Sequence, residues 1–447
     1  MSKNIKALII AIALVPILVG AYHGARSIRS RQIERRIAAV RTEDIQLVSL
    51  NSDTVIRIEV PTSGIHLERK GDVWESIPPD PFPLDQSEIR GISWSLSNMR
   101  ANRLIDPAPQ DLAVFGLDPP QWHTVLTTSE GQKVEFFGGE RTPSLSGYYV
   151  MVLGDPAVYQ VSTFSGERLF LIKRDIRERT LPAFRTNIDV QRFALEAGNT
   201  RIHIVGPNEE LRHMMILPYT VSHEVDAQRF TYLLSFFNEI RILDFDEDNP
   251  ASLEPYGLDN PVASVSIKSE SANLDLLFGL SNGTHQYAKF TDTPGIFIIQ
   301  DLGPALRAMP FDLVQRFILR PDLNTIDGFT IQGDGRTLRA QVRHQNGQEA
   351  FFVNGREVSE SSFRNLYIAC ISLSREAEHP GRPALPAVAE FTIEYTLNSP
   401  MGEKRTVSLS TFNRGFLALE QGGLTEFLVS GRQVQNIFAA ADNLEYN

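Results

Sequence analysis

The hexapeptides FGLDPP (115–120) and YGLDNP (256–261) occur 141 residues apart in one chain. An unusual motif that recurs at a fixed spacing indicates an internal repeat. The same shift aligns, without a gap, Asp85 with Asp226, Ile89 with Phe230, Ile92 with Leu233, Leu96 with Phe237, Met99 with Ile240 and Phe137-Gly138 with Phe278-Gly279. A shortening of three residues then aligns DPAVYQV (155–161) with TPGIFII (293–299). The sequence therefore predicts a duplicated unit.

A third, weaker copy follows the second. A further shift of 133 aligns Asp226 with Ser359, Phe230 with Phe363, Leu233 with Leu366, Phe237 with Cys370 and Ile240 with Leu373. Each copy then has a helix that starts at an N-cap residue and carries apolar side chains at i, i+3, i+7 and i+10. In the first copy, Asp85 and Glu88 also have the spacing of a capping box.

The segments around the first helix alternate apolar and polar residues, as in VIRIEV (55–60) and HTVLTTSEGQKVEFFG (123–138). Such segments, joined by turns at Glu130-Gly131 and Gly154-Asp155, predict antiparallel strands. One helix must cover one face of that sheet. We therefore expect an α+β fold of three tandem units, 44–182, 183–320 and 321–447, each an antiparallel sheet covered by one main helix.

The hexapeptide is expected to connect the helix to the next strand. Gly116 and Gly257 allow a backbone conformation closed to other residues, and Leu117 and Leu258 anchor the loop in the core. Asp118 and Asp259 are expected to close a turn onto backbone N–H groups, and Pro119 and Pro261 to favour extended chain into the next strand. The third copy has EHPGRPALPAVAEF (378–391) in this region, so its connector must differ.

The N-terminus differs from the rest of the chain. ALIIAIALVPILVGAYHGA (7–25) is uncharged, and as a helix it spans about 28 Å, close to the thickness of the hydrocarbon core of a bilayer. Residues 1–25 are thus predicted to form a membrane anchor, followed by a basic helical stem at 26–43. A cleaved signal peptide is the alternative, since Val19-Gly20-Ala21 offers a small-residue cleavage site.

Together these features resemble the family called domain of unknown function 4340. The resemblance is carried by the N-terminal anchor, GDVWESIPP (71–79), DLAVFGLDPP (111–120) and GDPAVYQVS (154–162), and it weakens from the first unit to the third. Members are associated with ABC transport systems of the gliding-motility type, where they are taken to be extracytoplasmic accessory components. No catalytic residue is established for the family, so the resemblance implies none here.

Four features invite a chemical reading. Gly279-Leu280-Ser281-Asn282-Gly283 matches the nucleophile elbow G-x-S-x-G, but the strands predicted on both sides favour a hairpin turn. DFDEDNPASLEP (244–255) begins like a calcium loop, yet Asn249 and Pro255 replace its glycine and bidentate glutamate, so a solvated acidic loop is expected. Asp118 and Asp259 belong to different units, which argues against a catalytic carboxylate pair. Cys370, the only cysteine, falls on the core stripe of a helix.

Composition excludes further classes. The net charge of −11 argues against a nucleic-acid-binding protein, and a single cysteine permits neither an intrachain disulfide nor a cysteine-rich zinc site. The nine histidines show no H-E-x-x-H spacing. No cofactor or metal is therefore expected, and the residues singled out are structural: Gly116, Leu117, Asp118, Pro119, Gly257, Leu258, Asp259 and Pro261.

The expected function is that of a non-enzymatic, membrane-anchored accessory or scaffolding component of an ABC-transporter-type complex in the bacterial cell envelope. Its expected partner is a transporter permease or an associated envelope protein. The alternative is an extracytoplasmic protein that binds a lipid or glycan between units, and an envelope hydrolase comes third. Arginines at 26–36 favour a cytoplasmic body by the positive-inside rule, whereas the family resemblance favours a periplasmic one. We expect the latter, in the inner membrane.

Overall fold

The computed structural model describes residues 45–182, 189–345, 348–381, 388–399 and 402–446. The predicted anchor (1–25) and basic stem (26–43) lie outside the described residues, as do the predicted first residues of the first two repeat units, 44 and 183. Among the described residues, no helix is both long and apolar enough to span a bilayer. The predicted boundaries of the three repeat units remain predictions.

The chain divides between Glu178 and Arg179 into two compact units. The first unit contains one large sheet, here called sheet A, and the second contains two, sheets B and C. All strand pairs within these sheets are antiparallel, and helices follow the strands in each. The predicted α+β class with mostly antiparallel sheets is therefore confirmed.

The described part of the first compact unit, from residue 45 on, contains two α-helices and ten strands. They are β1 (Ile45–Gln46), β2 (Val55–Val60), β3 (Ile65–Lys70), β4 (Val73–Ser76), α1 (Gln86–Ser97), β5 (Arg100–Ala101), β6 (Arg103–Asp106), β7 (Trp122–Thr128), β8 (Lys133–Arg141), β9 (Gly147–Val152), β10 (Val158–Ser162) and α2 (Thr163–Leu169). Strands β1 and β5 form a separate pair, and sheet A has the order β4-β3-β2-β7-β8-β9-β10-β6.

Sheet B and its helices follow in the second compact unit. They are β11 (Val190–Ala197), β12 (Thr200–Val205), β13 (Met214–Leu217), β14 (His223–Glu224), α3 (Ala227–Asn238), β15 (Asp244–Glu247), β16 (Ala263–Ser269), β17 (Asn273–Ser281), β18 (His285–Phe290), β19 (Ile296–Gln300), α4 (Gly303–Leu306) and α5 (Pro310–Leu313). The order is β14-β13-β12-β11-β16-β17-β18-β19-β15.

Sheet C completes that unit. Its elements are β20 (Ile326–Gly333), β21 (Arg336–Gln345), β22 (Gln348–Val353), β23 (Arg356–Glu357), α6 (Glu360–Ile371), β24 (Ala377–Glu378), β25 (Phe391–Leu397), β26 (Lys404–Thr411), β27 (Phe416–Gln421), β28 (Leu424–Ser430) and α7 (Gly431–Asp442). The order β23-β22-β21-β20-β25-β26-β27-β28-β24 repeats that of sheet B strand for strand. The third copy thus shares the fold of the second despite its weak sequence match.

The three predicted helices form where the pattern places them. The side chains of Asp85, Asp226 and Ser359 cap α1, α3 and α6 by accepting backbone N–H groups of the first turn. The first three positions of each predicted apolar stripe lie on the helix and are buried: Ile89, Ile92, Leu96, Phe230, Leu233, Phe237, Phe363, Leu366 and Cys370. The fourth positions, Met99, Ile240 and Leu373, are also buried but lie beyond the helices, which end at Ser97, Asn238 and Ile371. Each stripe packs into a sheet, so periodicity alone located the main core of each repeat.

Two details of the predicted helices are corrected. The capping box at Asp85 and Glu88 does not form, because the Asp85 N–H donates to the Ile176 carbonyl and the Glu88 carboxylate pairs with Arg168. Each sheet also has a second helical segment after its last strand, α2, α4 or α7, where one main helix was expected. Ser162 and Ser430 cap α2 and α7.

The gapless alignment of the first two copies is also wrong in one place. The β7–β8 hairpin pairs Thr127 with Lys133, whereas the β16–β17 hairpin pairs Lys268 with Asn273, so the second turn is one residue shorter. Phe278 therefore matches Gly138, not Phe137, and Gly279 matches Gly139. By the same shift Ser281 matches Arg141 and not Glu140. The total shortening of three residues at β10 and β19 is confirmed.

Candidate functional site

The glycines of the two connectors adopt the same backbone conformation. Gly116 and Gly257 lie in the left-handed region, with φ of 67° and 64°, at the ends of 3₁₀ turns. The following leucines, Leu117 and Leu258, are buried, and their N–H groups donate over 3.1 Å to the carbonyls of Leu112 and Leu253. The predicted roles of glycine and leucine in the connector are confirmed.

Each connector presses closely on the strand β8 or β17. A Cβ atom added to Gly139 would lie 2.1 Å from the carbonyl oxygen of Phe115, and one added to Gly279 would lie 2.1 Å from that of Tyr256. The aromatic residue that begins each hexapeptide also packs edge-on against a tyrosine of the next strand. The ring centroids are 5.1 Å apart for Phe115–Tyr149 and 5.0 Å for Tyr256–Tyr287.

The aspartates of the motif behave differently from the expectation. Asp118 and Asp259 are exposed, and within the described residues their carboxylates accept no hydrogen bond. The turn is closed instead by backbone bonds of the glycine and leucine, so a carboxylate is not needed for it. Pro119 and Pro261 precede β7 and β16 as predicted.

The other stretches with apparent motifs are structural. Ser281 ends β17 and His285 begins β18, so the elbow-like sequence is the predicted hairpin turn. The acidic stretch is not a loop at its start, because Asp244–Glu247 forms the edge strand β15. A hydrogen bond to Glu247 raises the pKa of the Tyr256 phenol. Cys370 is buried, and desolvation raises the pKa of its thiol.

Sheets B and C are joined by the segment that leaves α5. Val314 forms a bridge with Val225 at the start of α3, and the N–H of Gln315 donates to the carbonyl of Glu224. Further along the same segment, Phe317 forms a β-bridge with Ser374, which follows α6. One short segment is therefore hydrogen-bonded to both sheets of the second compact unit.

A buried polar core lies at the same junction. Nε2 of His223 lies 2.8 Å from Oε2 of Glu426, and the two side chains are 1% and 4% exposed. The Glu426 carboxylate also accepts the backbone N–H groups of Thr220 at 2.6 Å and Val221 at 3.3 Å. An ionised carboxylate only accepts, so Nε2 of His223 carries the proton. This core joins β14 and its preceding loop to β28.

Two further side chains complete the core. The Tyr219 hydroxyl donates to Glu378 over 2.5 Å. Nη1 of Arg375 donates to the carbonyls of Gln315 (2.5 Å) and Phe317 (3.1 Å), and Nη2 donates to Oε1 of Gln421 (2.8 Å). The Tyr219 bond joins the loop before β14 to β24 of sheet C. The bonds of Arg375, which precedes β24, reach the connecting segment after α5 and strand β27 of sheet C.

Burial dominates the electrostatics of this core. Desolvation lowers the pKa of His223, assisted by the charge of Arg375 and opposed by the bond to Glu426. Desolvation also raises the pKa of Tyr219, together with its bond to Glu378. It lowers the pKa of Arg375 to about 10. At neutral pH the core therefore contains a neutral His223 imidazole and a charged Arg375 guanidinium.

Two clefts open beside the core. The first, of about 500 Å³, is lined by Pro218, Tyr219, Glu378, His379, Pro380, Gly381, Thr425 and Glu426. The second, of about 410 Å³, is lined by Arg212, Glu224, Gln315, Phe317, Ile318, Leu319, Arg320, Pro321, Asp322 and Arg405. The described residues contain no group of three or more His, Cys, Asp or Glu side chains that could hold a metal ion.

The sequence interpretation missed this junction. His223 and Glu426 are 203 residues apart and match no short motif. The available signal is Glu426 within LTEFLVS (424–430), an apolar strand in which a charged residue requires a buried partner. Nothing in the sequence identifies that partner.

Comparison with known proteins gives one family. The model of the family described as "Domain of unknown function (DUF4340)" matches residues 74–248 and 217–368. No curated protein matches the chain. Among solved structures, the crystal structure of the Borreliella burgdorferi PlzA protein in complex with c-di-GMP has a TM-score of 0.12 and 7% identity, covering 60% of this chain and 93% of that one. A likeness at this level supports no statement about fold or ligand.

Proposed function

The chain belongs to the family described as Domain of unknown function (DUF4340), and on that premise we propose that it is a membrane-anchored, non-enzymatic scaffold. It would act as an accessory component of an ABC-transporter-type complex in the bacterial cell envelope. A permease, or an envelope protein associated with it, is the proposed partner. The anchor is residues 1–25, and the body is periplasmic.

The observation that carries this proposal is the hydrogen-bonded junction of sheets B and C. The buried charged groups there are bonded to one another or to backbone: Glu426 has three donors, and Arg375 donates to two carbonyls. A structural role accounts for these side chains, because their hydrogen bonds hold two sheets together. Two sheets fixed in this way form a large platform suited to binding another protein.

The direct test is purification of the tagged full chain from native membranes after chemical cross-linking. Subunits of one ABC transporter should copurify, and they should still do so when residues 1–25 are exchanged for an unrelated transmembrane helix. That control separates contacts of the body from contacts of the anchor. Recovery without any transporter subunit would overturn the proposal.

Topology has its own test, because the charge pattern and the family resemblance disagree. Alkaline phosphatase fused after Asn447 should be active, since the body is proposed to be periplasmic. A reporter that fluoresces only in the cytoplasm should stay dark in the matched fusion. The opposite pair of results would move the body, and any transporter contact, to the cytoplasmic side.

A second function, glycan binding, is favoured by the cleft beside Tyr219. Its lining combines an aromatic ring with the Glu378 carboxylate and the Thr425 hydroxyl, which suits sugar hydroxyls better than lipid chains. Titration of the full chain with a soluble peptidoglycan fragment, monitored by calorimetry, tests it. Binding that Tyr219→Ala abolishes supports this second function, and the absence of heat removes it.

A further inference from the structure

The cleft lined by Arg212, Arg320 and Arg405 is here called the basic cleft. Its volume, about 410 Å³, falls within the range of small-molecule sites. The three arginines come from separate parts of the chain: the loop before β13, the segment before β20, and β26. The fold, and not one basic stretch of sequence, gathers them at one opening.

The acidic groups in the basic cleft are already engaged. Glu224 and Glu210 pair with Arg212, at 2.9 and 3.2 Å, and Oδ1 of Asp322 accepts the backbone N–H of Asn324 at 3.0 Å. Nε of Arg405 lies 3.5 Å from Oε1 of Glu403. Arg320 pairs with no carboxylate among the described residues, and its guanidinium lies 4.3 Å from the centroid of the Phe317 ring. Among the residues that line the cleft, three arginines outnumber the two acidic side chains, Glu224 and Asp322, so the lining carries a formal charge of +1.

A second observation concerns Arg375, a buried residue that contacts the lining of the cleft. Arg375 is 6% exposed, and it donates three hydrogen bonds to neutral acceptors: the carbonyls of Gln315 and Phe317, and the side chain of Gln421. Its Nε is buried and has no partner among the described residues. Gln315 and Phe317 also line the cleft. This buried guanidinium adds positive potential to the space next to it, offset in part by the nearby Glu224 carboxylate.

We propose that the basic cleft binds a phosphate-bearing ligand. Guanidinium groups present paired N–H donors that match the oxygens of a phosphate, and such charge-assisted bonds are about twice as strong as neutral ones. Arg320 and Arg405 supply the donors, while Arg212 is held in place by Glu224. A lipid headgroup and a soluble phosphate compound share this chemistry. The proposal rests on the cleft alone and is independent of the scaffold function.

The test uses the full chain in a neutral detergent and two probes followed by calorimetry. Inorganic phosphate represents a soluble ligand, and dihexanoylphosphatidylglycerol, kept below its micelle concentration, represents a lipid headgroup. Dihexanoylphosphatidylcholine is the control for the acyl chains. Binding of either anionic probe supports the proposal, and the probe that binds more tightly identifies the source of the phosphate.

Two double variants, each of which removes two positive charges, test whether the anionic probes bind in the basic cleft. Arg320→Gln with Arg405→Gln should weaken binding about tenfold or more, because each substitution removes a charge-assisted donor to the phosphate. Arg414→Gln with Arg432→Gln changes exposed arginines that do not line the cleft, so binding should stay within about twofold of the unmodified chain. Equal losses in both variants, or no binding of either probe, would overturn the proposal. Circular dichroism checks that both variants fold.

Discussion

Nε2 of His223 in β14 lies 2.8 Å from the Glu426 carboxylate in β28, and this bond joins two sheets through residues 203 positions apart in the sequence. Both side chains are almost fully buried. A buried pair of this kind is costly unless its remaining groups are bonded, and here two backbone N–H groups complete the carboxylate. The pair therefore specifies how sheets B and C meet.

Acidification should weaken this junction. Because burial lowers the pKa of folded His223 below its ordinary 6.5, the folded state favours the neutral ring. The stabilisation is thus fully present above pH 6.5 and is lost as the pH falls through the folded pKa. The guanidinium of Arg375, whose pKa is lowered to about 10, stays charged in this range. Urea unfolding at about pH 8 and about pH 5 should show a smaller loss for His223→Gln than for the unmodified chain. Equal losses would show that His223 does not sense pH.

The stripe of α3 gives a stability prediction. Phe237 is fully buried, and its ring centroid lies 5.9 Å from that of Phe193. Phe237→Ala should lower the free energy of unfolding by about 3–5 kcal/mol, because it leaves a cavity under the helix. Tyr232→Ala on the outer face of the same helix, where the side chain is 68% exposed, is the control and should change it by less than about 0.5 kcal/mol. A loss below about 1 kcal/mol for Phe237→Ala would mean that the stripe is not a core.

Variants of the second connector distinguish the backbone requirement at Gly257 from a chemical role of Asp259. Gly257→Val should impair folding of sheet B, because φ is 64° and a Cβ would lie 2.7 Å from Cγ of Leu280. Asp259→Asn should leave stability almost unchanged, since that carboxylate is exposed and accepts no hydrogen bond from the described residues. Thermal unfolding monitored by circular dichroism compares them. Loss of transporter copurification by a fully folded Asp259→Asn variant would instead indicate a chemical role for the carboxylate.

In the first compact unit, a buried ion pair should matter most when only one partner is removed. Arg177 donates to both oxygens of Asp80, over 2.9 and 3.0 Å, with side chains 4% and 3% exposed. Arg177→Met should cost about 3–5 kcal/mol, because it leaves an unpaired buried carboxylate. Adding Asp80→Leu should recover most of that loss in chemical unfolding. A double variant no more stable than the single one would contradict this explanation.

Local patterns predicted the local structure. The caps at Asp85, Asp226 and Ser359, the helix stripes and the glycine geometry of the connectors each depend on residues close in sequence. The register of the second hairpin was missed because Phe137 and Phe278 are both apolar, so pattern alone could not reveal a turn shortened by one residue. The junction of sheets B and C could not be predicted, since its bonds connect distant strands whose meeting depends on packing.

The most direct test of the account is whether sheets B and C form one rigid body. Nitroxide labels at Gln228→Cys on α3 and Arg432→Cys on α7 would report the distance between these helices, and so between sheets B and C, by pulsed electron paramagnetic resonance. Cys370 is 1% exposed with a raised thiol pKa, so it should not be labelled. The account predicts one narrow distance distribution that Glu426→Ala broadens. A broad distribution in the unmodified chain, or one that Glu426→Ala leaves unchanged, would contradict it.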